Sequence, residues 1–402
     1  MSALARRVLW AMLLAGLCAR VGLAFGSRGV SYDIDSWQIV RDALLSGSGL
    51  GLYGDVNADQ LRFPYPPGFL PFILLGQALA KATGLAFHGF VQIGPIAADL
   101  AIAWVVQDVL GRAGASQGRR LAAAGLVALG PSFGLISGVH GQMDSLVALP
   151  ALLGYLAWTR SGSERRWLFA GALIGLGACF KTTPLLVALA LLPSARSWRE
   201  GLKLALTAGA VPLAALAPFL AADFAGTRHS FEYNGVAGFG GISMLVQPSL
   251  ADAWMTLRLE GLELNAASRA LIDAGSAPAL LALAVIAGLL LWLRPAPAHA
   301  VTIAWLTLYV LAPNFAFQYV VWGLPFFILA GHLGWVAAFQ ALLFVPGVLI
   351  YTVPHGDWAV YAYFPLMALA WAGALLALVL AVRSAARSLP VRPPGMYPSP
   401  ST

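Results

Sequence analysis

The sequence predicts an all-α polytopic membrane protein, a helical bundle of about 11-12 helices with further helices in the loops on its outer face, and three observations carry that prediction. Of its 402 residues, 59% are hydrophobic and 10% are charged, whereas soluble domains carry about 25% charged residues. About twelve apolar stretches recur along the chain, and a crossing helix needs about 20 apolar residues. The ten-residue alternating segments of a membrane β-barrel are absent from the sequence. A soluble globular protein is therefore excluded. The 25 Pro and 43 Gly are dispersed, which membrane helices tolerate when neighbours satisfy the freed backbone groups.

Taken in order, the apolar runs predict helices near 8–25, 90–110, 121–138, 142–159, 167–180 with 184–193, 202–221, 277–293, 299–312, 319–333, 335–352 and 361–382. The first run follows Arg6 and Arg7 and lacks an A-x-A cleavage pattern, so it reads as a retained helix rather than a secretory signal. Basic clusters at Arg112/Arg119/Arg120, Arg160/Arg165/Arg166, Arg196/Arg199/Lys203, Arg294 and Arg383/Arg387/Arg392 mark cytoplasmic loops by the positive-inside rule. Acidic residues gather instead in the first loop (Asp33, Asp35, Asp42, Asp55, Asp59) and in 222–276 (Asp223, Glu232, Asp252, Glu260, Glu263, Asp273), which then face outward. For the signs to stay in phase, Pro66 to Ala82 is expected to be a re-entrant or surface-lying helix. The run 167–193 has basic flanks and is too short for two crossings, so a broken hairpin is expected around Phe180-Lys181-Thr182-Thr183-Pro184.

This organisation gives one transmembrane domain, 1–382, with outer loops 26–89 and 222–276, and a basic, Pro-rich tail, 383–402, expected to be disordered. Both termini are expected on the cytoplasmic side of a cell (inner) membrane. Cys18 and Cys179 lie inside apolar runs, which argues against a disulfide framework or a metal knuckle. The net charge of +7 then reads as a topology signal, and no nucleic-acid partner is expected. Membrane lipids are.

Chemistry is sought where a hydrophobic chain keeps polar groups that the bilayer does not require. Ser31-Tyr32-Asp33-Ile34-Asp35-Ser36-Trp37-Gln38 places two carboxylates at i and i+2, able to share a metal or to divide the roles of base and orienter; a solvated loop is the plainer reading. Arg62-Phe63-Pro64-Tyr65-Pro66-Pro67-Gly68 reads first as a rigid turn, yet Arg62 beside aromatics could hold a phosphate or stack on a sugar. Ser137-Gly138-Val139-His140-Gly141-Gln142-Met143-Asp144 concentrates His, Gln and Asp at a membrane interface, against which helix capping by Asp144 competes. Lys181, inside an apolar segment, is a site candidate, with snorkelling as the alternative. Pro313-Asn314-Phe315-Ala316-Phe317-Gln318-Tyr319-Val320-Val321-Trp322-Gly323-Leu324-Pro325 adds Asn314 and Gln318 to interfacial aromatics that alone mean little. All of these converge on one leaflet.

These residues together resemble the GT-C superfamily of integral-membrane glycosyltransferases. Tyr32-Asp33-Ile34-Asp35 with Val40-Arg41-Asp42-Ala43-Leu44, and the Gln318-Tyr319-x-x-Trp322 segment, are similar to the GPI mannosyltransferase I catalytic subunit. Tyr65-Pro66-Pro67 and His140-Gly141-Gln142-x-Asp144 look like the dolichyl-phosphate-glucose glucosyltransferases and bacterial polyprenyl-phosphate-mannose transferases. The resemblance spans most of 1–330 and implies a GT-C-like fold and a polyprenyl-phosphate sugar donor. It also implies inverting transfer of a hexose, with mannose favoured, to a lipid-linked or cell-envelope glycan acceptor on the extracytoplasmic face. An outer-loop Asp then acts as general base, Asp33 ahead of Asp35. Arg62, Lys181 and, as further alternatives, Arg228 or His229 are candidates for the donor phosphate, while Tyr65, His140, Gln142, Asp144, Gln318 and Tyr319 shape the donor and sugar pocket. No metal or other cofactor is expected to be required, since one D-x-D does not establish a cation. In loop 222–276, Phe231-Glu232-Tyr233-Asn234 and Gly238-Phe239-Gly240-Gly241-Ile242-Ser243 are expected to help choose the acceptor, although exposure alone would explain their polarity.

The competing class is a transporter or flippase of lipid-linked sugars. Such proteins place ionisable groups at mid-membrane and carry inverted repeats. Here Asp99 is the only acid deep in an expected helix, and repeats are not evident. A structural scaffold would not need carboxylates, His and Lys gathered on one side.

Overall fold

A computed structural model describes residues 1–27, 29–232, 240–248, 264–313, 315–353 and 359–387. Among them the chain is all-α, without strands. Its first half runs α1 Ala3–Gly26, α2 Ser31–Ser46, α3 Leu52–Asn57, α4 Leu70–Thr83, α5 Phe87–Val91, α6 Ile93–Arg112, α7 Gln117–Ala128, α8 Pro131–Leu135, α9 Asp144–Arg160, α10 Arg166–Ala178 and α11 Leu185–Leu191. The second half runs α12 Trp198–Ala222, α13 Phe224–Ser230, α14 Gly241–Val246, α15 Ala266–Asp273, α16 Ala277–Leu293, α17 Pro297–Leu311, α18 Val320–Leu329, α19 Leu333–Thr352 and α20 Phe364–Arg387. A π-helical turn, Ile136–His140, follows α8, and another, Ala359–Tyr363, precedes α20.

Among the described residues, six helical segments are long and apolar enough to cross a membrane, and five more are apolar but shorter. The protein is multi-pass. Burial separates the roles of the long segments: 67% of the apolar stretch in Gln117–His140 is inside the protein, against 28% for α1 and 22% for α12. The segment that ends in His140 is therefore central, and the outward faces of α1 and α12 are left for lipid.

Several expected boundaries move, for local reasons. The run 121–138 is not one α-helix. Pro131 has no N–H to give to the carbonyl of Val127 and opens α8 at its first position, and the π-helical turn follows. The run 90–110 is divided into α5 and α6 at Gln92. Pro66 to Ala82 yields α4, whose 14 residues span about 21 Å at 1.5 Å per residue, short of a hydrocarbon core of about 30 Å. The hairpin break does occur, between Ala178 and Leu185 around Pro184. At the C-terminus, residues 383–387, expected to belong to the disordered tail, continue α20, since the alanine-rich Arg383-Ser384-Ala385-Ala386-Arg387 propagates helix; 388–402 lie outside the described residues.

Candidate functional site

The stretch after α1, expected to lie in the first outer loop, forms a sixteen-residue helix. Ile34, Trp37 and Val40, spaced i, i+3, i+6, are fully buried, and that period was the signal for an amphipathic helix. Trp37 fixes where α2 lies. Its indole N–H donates to the carbonyl of Gly141 at 3.0 Å, and its ring packs on Phe63, Tyr65 and Phe69. Asp33 thereby occupies the first turn of α2, where the helix dipole favours a negative charge.

The opposite wall comes from the end of the π-helical turn. Gly141 takes φ +84°, and a Cβ there would lie 2.7 Å from Ile34 Cδ1, so the reversal against α2 requires glycine. The reversal aims two side chains at one carboxylate. His140 Nε2 lies 2.5 Å from Asp33 Oδ2, and Gln142 Nε2 donates to Asp33 Oδ1 at 2.6 Å. His140 is 5% exposed and Asp33 17%, so the carboxylate is held in one orientation while an edge stays open.

Lys181 enters from the break between α10 and α11. The break is anchored to the Tyr65-Pro66-Pro67-Gly68 turn by a hydrogen bond from Gly68 N–H to Cys179 carbonyl, 2.8 Å. The ammonium donates to Asp144 Oδ1 at 2.8 Å and to Gln142 Oε1 at 3.2 Å, and Trp322 Nε1–H also donates to Asp144 Oδ1, at 2.7 Å. Around Lys181 Nζ stand the rings of Tyr65, Tyr319 and Trp322, with centroids at 5.2, 5.9 and 5.7 Å, the last two stacked at 4.2 Å. A continuous polar chain thus runs Asp33, Gln142, Lys181, Asp144, roofed by aromatics. The Gln142 amide joins its two halves, donating to one carboxylate and accepting from the ammonium.

Of the residues singled out from the sequence, Asp33, Tyr65, His140, Gln142, Asp144, Lys181 and Tyr319 come together here. Gln318 is half-buried next to Tyr319. Arg62 sits to one side, its guanidinium 4.5 Å over the Tyr32 ring, while the Tyr32 hydroxyl donates to Leu61 carbonyl at 3.2 Å. Burial pushes the Tyr32 phenol above its ordinary value, against the opposing pull of Arg62. Asp35 lies two residues on from Asp33, roughly 200° around the helix, so the pair does not present both carboxylates to one point. Arg228 and His229 pair with Glu232 on the surface of α13. Tyr233, Asn234, Gly238, Phe239, Asp252, Glu260, Glu263 and Asn314 lie outside the described residues.

Trp37 and Trp322 each lie within a segment singled out from the sequence, yet neither is among the candidate residues. Nor is Arg20, a guanidinium inside the first apolar run, where an ionisable group is a default site candidate. Among the described residues, no three His, Cys, Asp or Glu side chains form a group able to hold a metal ion.

Chemically, a carboxylate fixed by two donors and open on one edge can accept a proton from a hydroxyl, since each of its oxygens has a second lone pair. An ammonium with a third N–H to offer, set among low-dielectric rings, can stabilise developing negative charge. Residues 63–317 match the family model described as Glycosyltransferase family 87, a range that holds Tyr65, His140, Gln142, Asp144 and Lys181 and starts after Asp33. No curated protein matches the chain.

Proposed function

This chain belongs to glycosyltransferase family 87, and from that premise we propose that its Asp33 cluster transfers a hexose, mannose in the first instance, from a polyprenyl-phosphate donor to a lipid-linked or envelope glycan acceptor on the extracytoplasmic face. Support for a lipid-phosphate donor comes from the resemblance to polyprenyl-phosphate-dependent enzymes and from cationic and aromatic groups beside a carboxylate in a membrane-embedded bundle. The observation that carries the reading is the grip of His140 and Gln142 on both oxygens of Asp33.

In this mechanism the acceptor hydroxyl gives its proton to Asp33 as its oxygen attacks the anomeric carbon. The bond from that carbon to the phosphate oxygen breaks, the electron pair leaves on polyprenyl phosphate, and the configuration inverts. His140 and Gln142 hold Asp33 in the geometry needed for attack. Lys181 offers its remaining N–H to the donor, and Arg62, stacked on Tyr32, offers its outer guanidinium edge to the phosphate. Tyr65, Tyr319 and Trp322 provide apolar faces for the sugar ring, and Gln318 provides an amide at the rim. The protein's own residues carry each of these steps, and no metal or other cofactor is invoked.

The test uses purified protein in liposomes with radiolabelled polyprenyl-phosphate mannose and a glycolipid acceptor, scoring release of polyprenyl phosphate. Asp33→Asn keeps the size of the side chain but removes the base, and is expected to cost about 10²–10⁴-fold in rate with unchanged folding, while Asp35→Asn loses far less. Wild-type rates for Asp33→Asn would refute the role of Asp33. No release from any lipid-phosphate sugar, with transfer from a nucleotide sugar, would refute the donor class.

A further inference from the structure

A second polar cluster lies within the bundle, apart from the groups just described. Arg20 of α1 and Asp99 of α6 form an ion pair at 2.9 Å with side-chain exposures of 2% and 0%. Removing two charges from water costs several kcal/mol per ion before any pairing energy is returned, and charged groups inside membrane segments are rare unless they have a task. The remaining partners of this pair show what it holds. Asp99 Oδ2 accepts from Ser137 Oγ at 2.6 Å, and Asp99 Oδ1 accepts from Ser145 Oγ. Ser137 precedes His140 by three residues and Ser145 directly follows Asp144, so one carboxylate grips both ends of the segment that carries His140, Gln142 and Asp144.

Arg20 holds the other side. Its NH2 group donates to Val127 carbonyl at 2.9 Å, its NH1 group donates to the carbonyls of Ala128 and Gly16, and its Nε also reaches Ser137 Oγ at 3.2 Å. Val127 is the residue whose helical partner would be Pro131, which has no N–H. The guanidinium therefore closes the gap that Pro131 opens and fixes the direction in which the chain leaves α7 for α8 and the π-helical turn beyond it.

We infer that the buried Arg20–Asp99 pair is a positioning device for the reacting site, pinning Ser137 and Ser145 so that His140 and Gln142 meet Asp33 and Asp144 meets Lys181. None of the four residues touches the groups proposed to react. The inference rests on the Asp33 reading above.

The test cuts the ties while keeping the ion pair, because Arg20→Ala would leave Asp99 buried without its cation. Ser137→Ala and Ser145→Ala are assayed separately, with rates normalised to folded protein from size-exclusion chromatography. Since a displacement of about 1 Å can cost about 10²-fold in rate, the expected result is a fall in kcat of about tenfold or more with donor KM within about twofold of wild type. A second readout is the rate at which diethyl pyrocarbonate modifies His140, followed by mass spectrometry of its peptide; a loosened His140–Asp33 contact speeds it. Wild-type kcat per folded molecule and an unchanged His140 modification rate in both variants would overturn the inference. If Asp33→Asn is inactive while both serine variants behave as wild type, the positioning role alone fails; if Asp33→Asn is fully active, the reading beneath it fails.

Discussion

Replacing Lys181 with methionine tests the electrostatics at the centre of the cluster. The substitution keeps length and apolar volume but removes the ammonium 2.8 Å from an Asp144 carboxylate that has no solvent exposure. Asp144 then retains one strong donor, Trp322 Nε1 at 2.7 Å, and no compensating cation. Breaking a buried pair from one side costs about 3–5 kcal/mol, because the surviving charge stays desolvated. Removing that charge as well, in Lys181→Met/Asp144→Asn, should recover most of the loss, leaving about 1–2 kcal/mol from the weakened hydrogen bonds. The assay is reversible unfolding of the purified protein in mixed micelles on titration with denaturing detergent, with all four corners of the double-mutant cycle measured. Transfer should be lost in both lysine variants, since restoring stability does not restore the cation. Equal stability of wild type and Lys181→Met, within about 0.5 kcal/mol, or a double variant no more stable than the single, would show that the pair is not balanced in the way the geometry requires.

Other substitutions probe the joints of the site. A Cβ at position 68 would lie 2.5 Å from Cys179 carbonyl oxygen, so Gly68→Ala should push the Tyr65-Pro66-Pro67 turn away from the Lys181 break and lower kcat about tenfold; a wild-type rate would mean the two segments can part without consequence. Trp37→Phe deletes the bond to Gly141 carbonyl and leaves that oxygen buried and unpaired, which should cost about 1–3 kcal/mol of stability in the same unfolding titration. Arg62→Gln should raise donor KM about tenfold, the worth of one charge-assisted hydrogen bond, with kcat held near wild type; initial-rate kinetics over a range of donor concentrations separates the two parameters.

Some of this site was legible in one dimension. Lys181 stood out because an ammonium interrupted an apolar run beside a proline, and both facts are local. His140, Gln142 and Asp144 stand out as polar groups clustered at an expected membrane interface. The helical character of 31–46 is also written in the spacing of Ile34, Trp37 and Val40, beneath the polar residues that give the stretch a loop-like composition. Arg20 and Trp322 carried weaker signals: one is a single charge near the end of a long apolar run, the other an aromatic at a depth where aromatics are ordinary.

The sequence by itself determined the medium, the helical class, the hairpin break at Lys181 and the residue types available for chemistry, because hydropathy, proline and charge act over one or two helical turns. Tertiary structure alone decided which of those residues meet. Asp33 and His140 are 107 positions apart, and Asp144 and Trp322 are 178 apart. Their contact depends on how Trp37 seats α2 on the Gly141 turn and how Arg20 and Asp99 set the course of the chain past Pro131. Local patterning carries no record of those distances, since a pairing across a bundle is fixed by the packing of whole helices and by the need to satisfy every buried polar group.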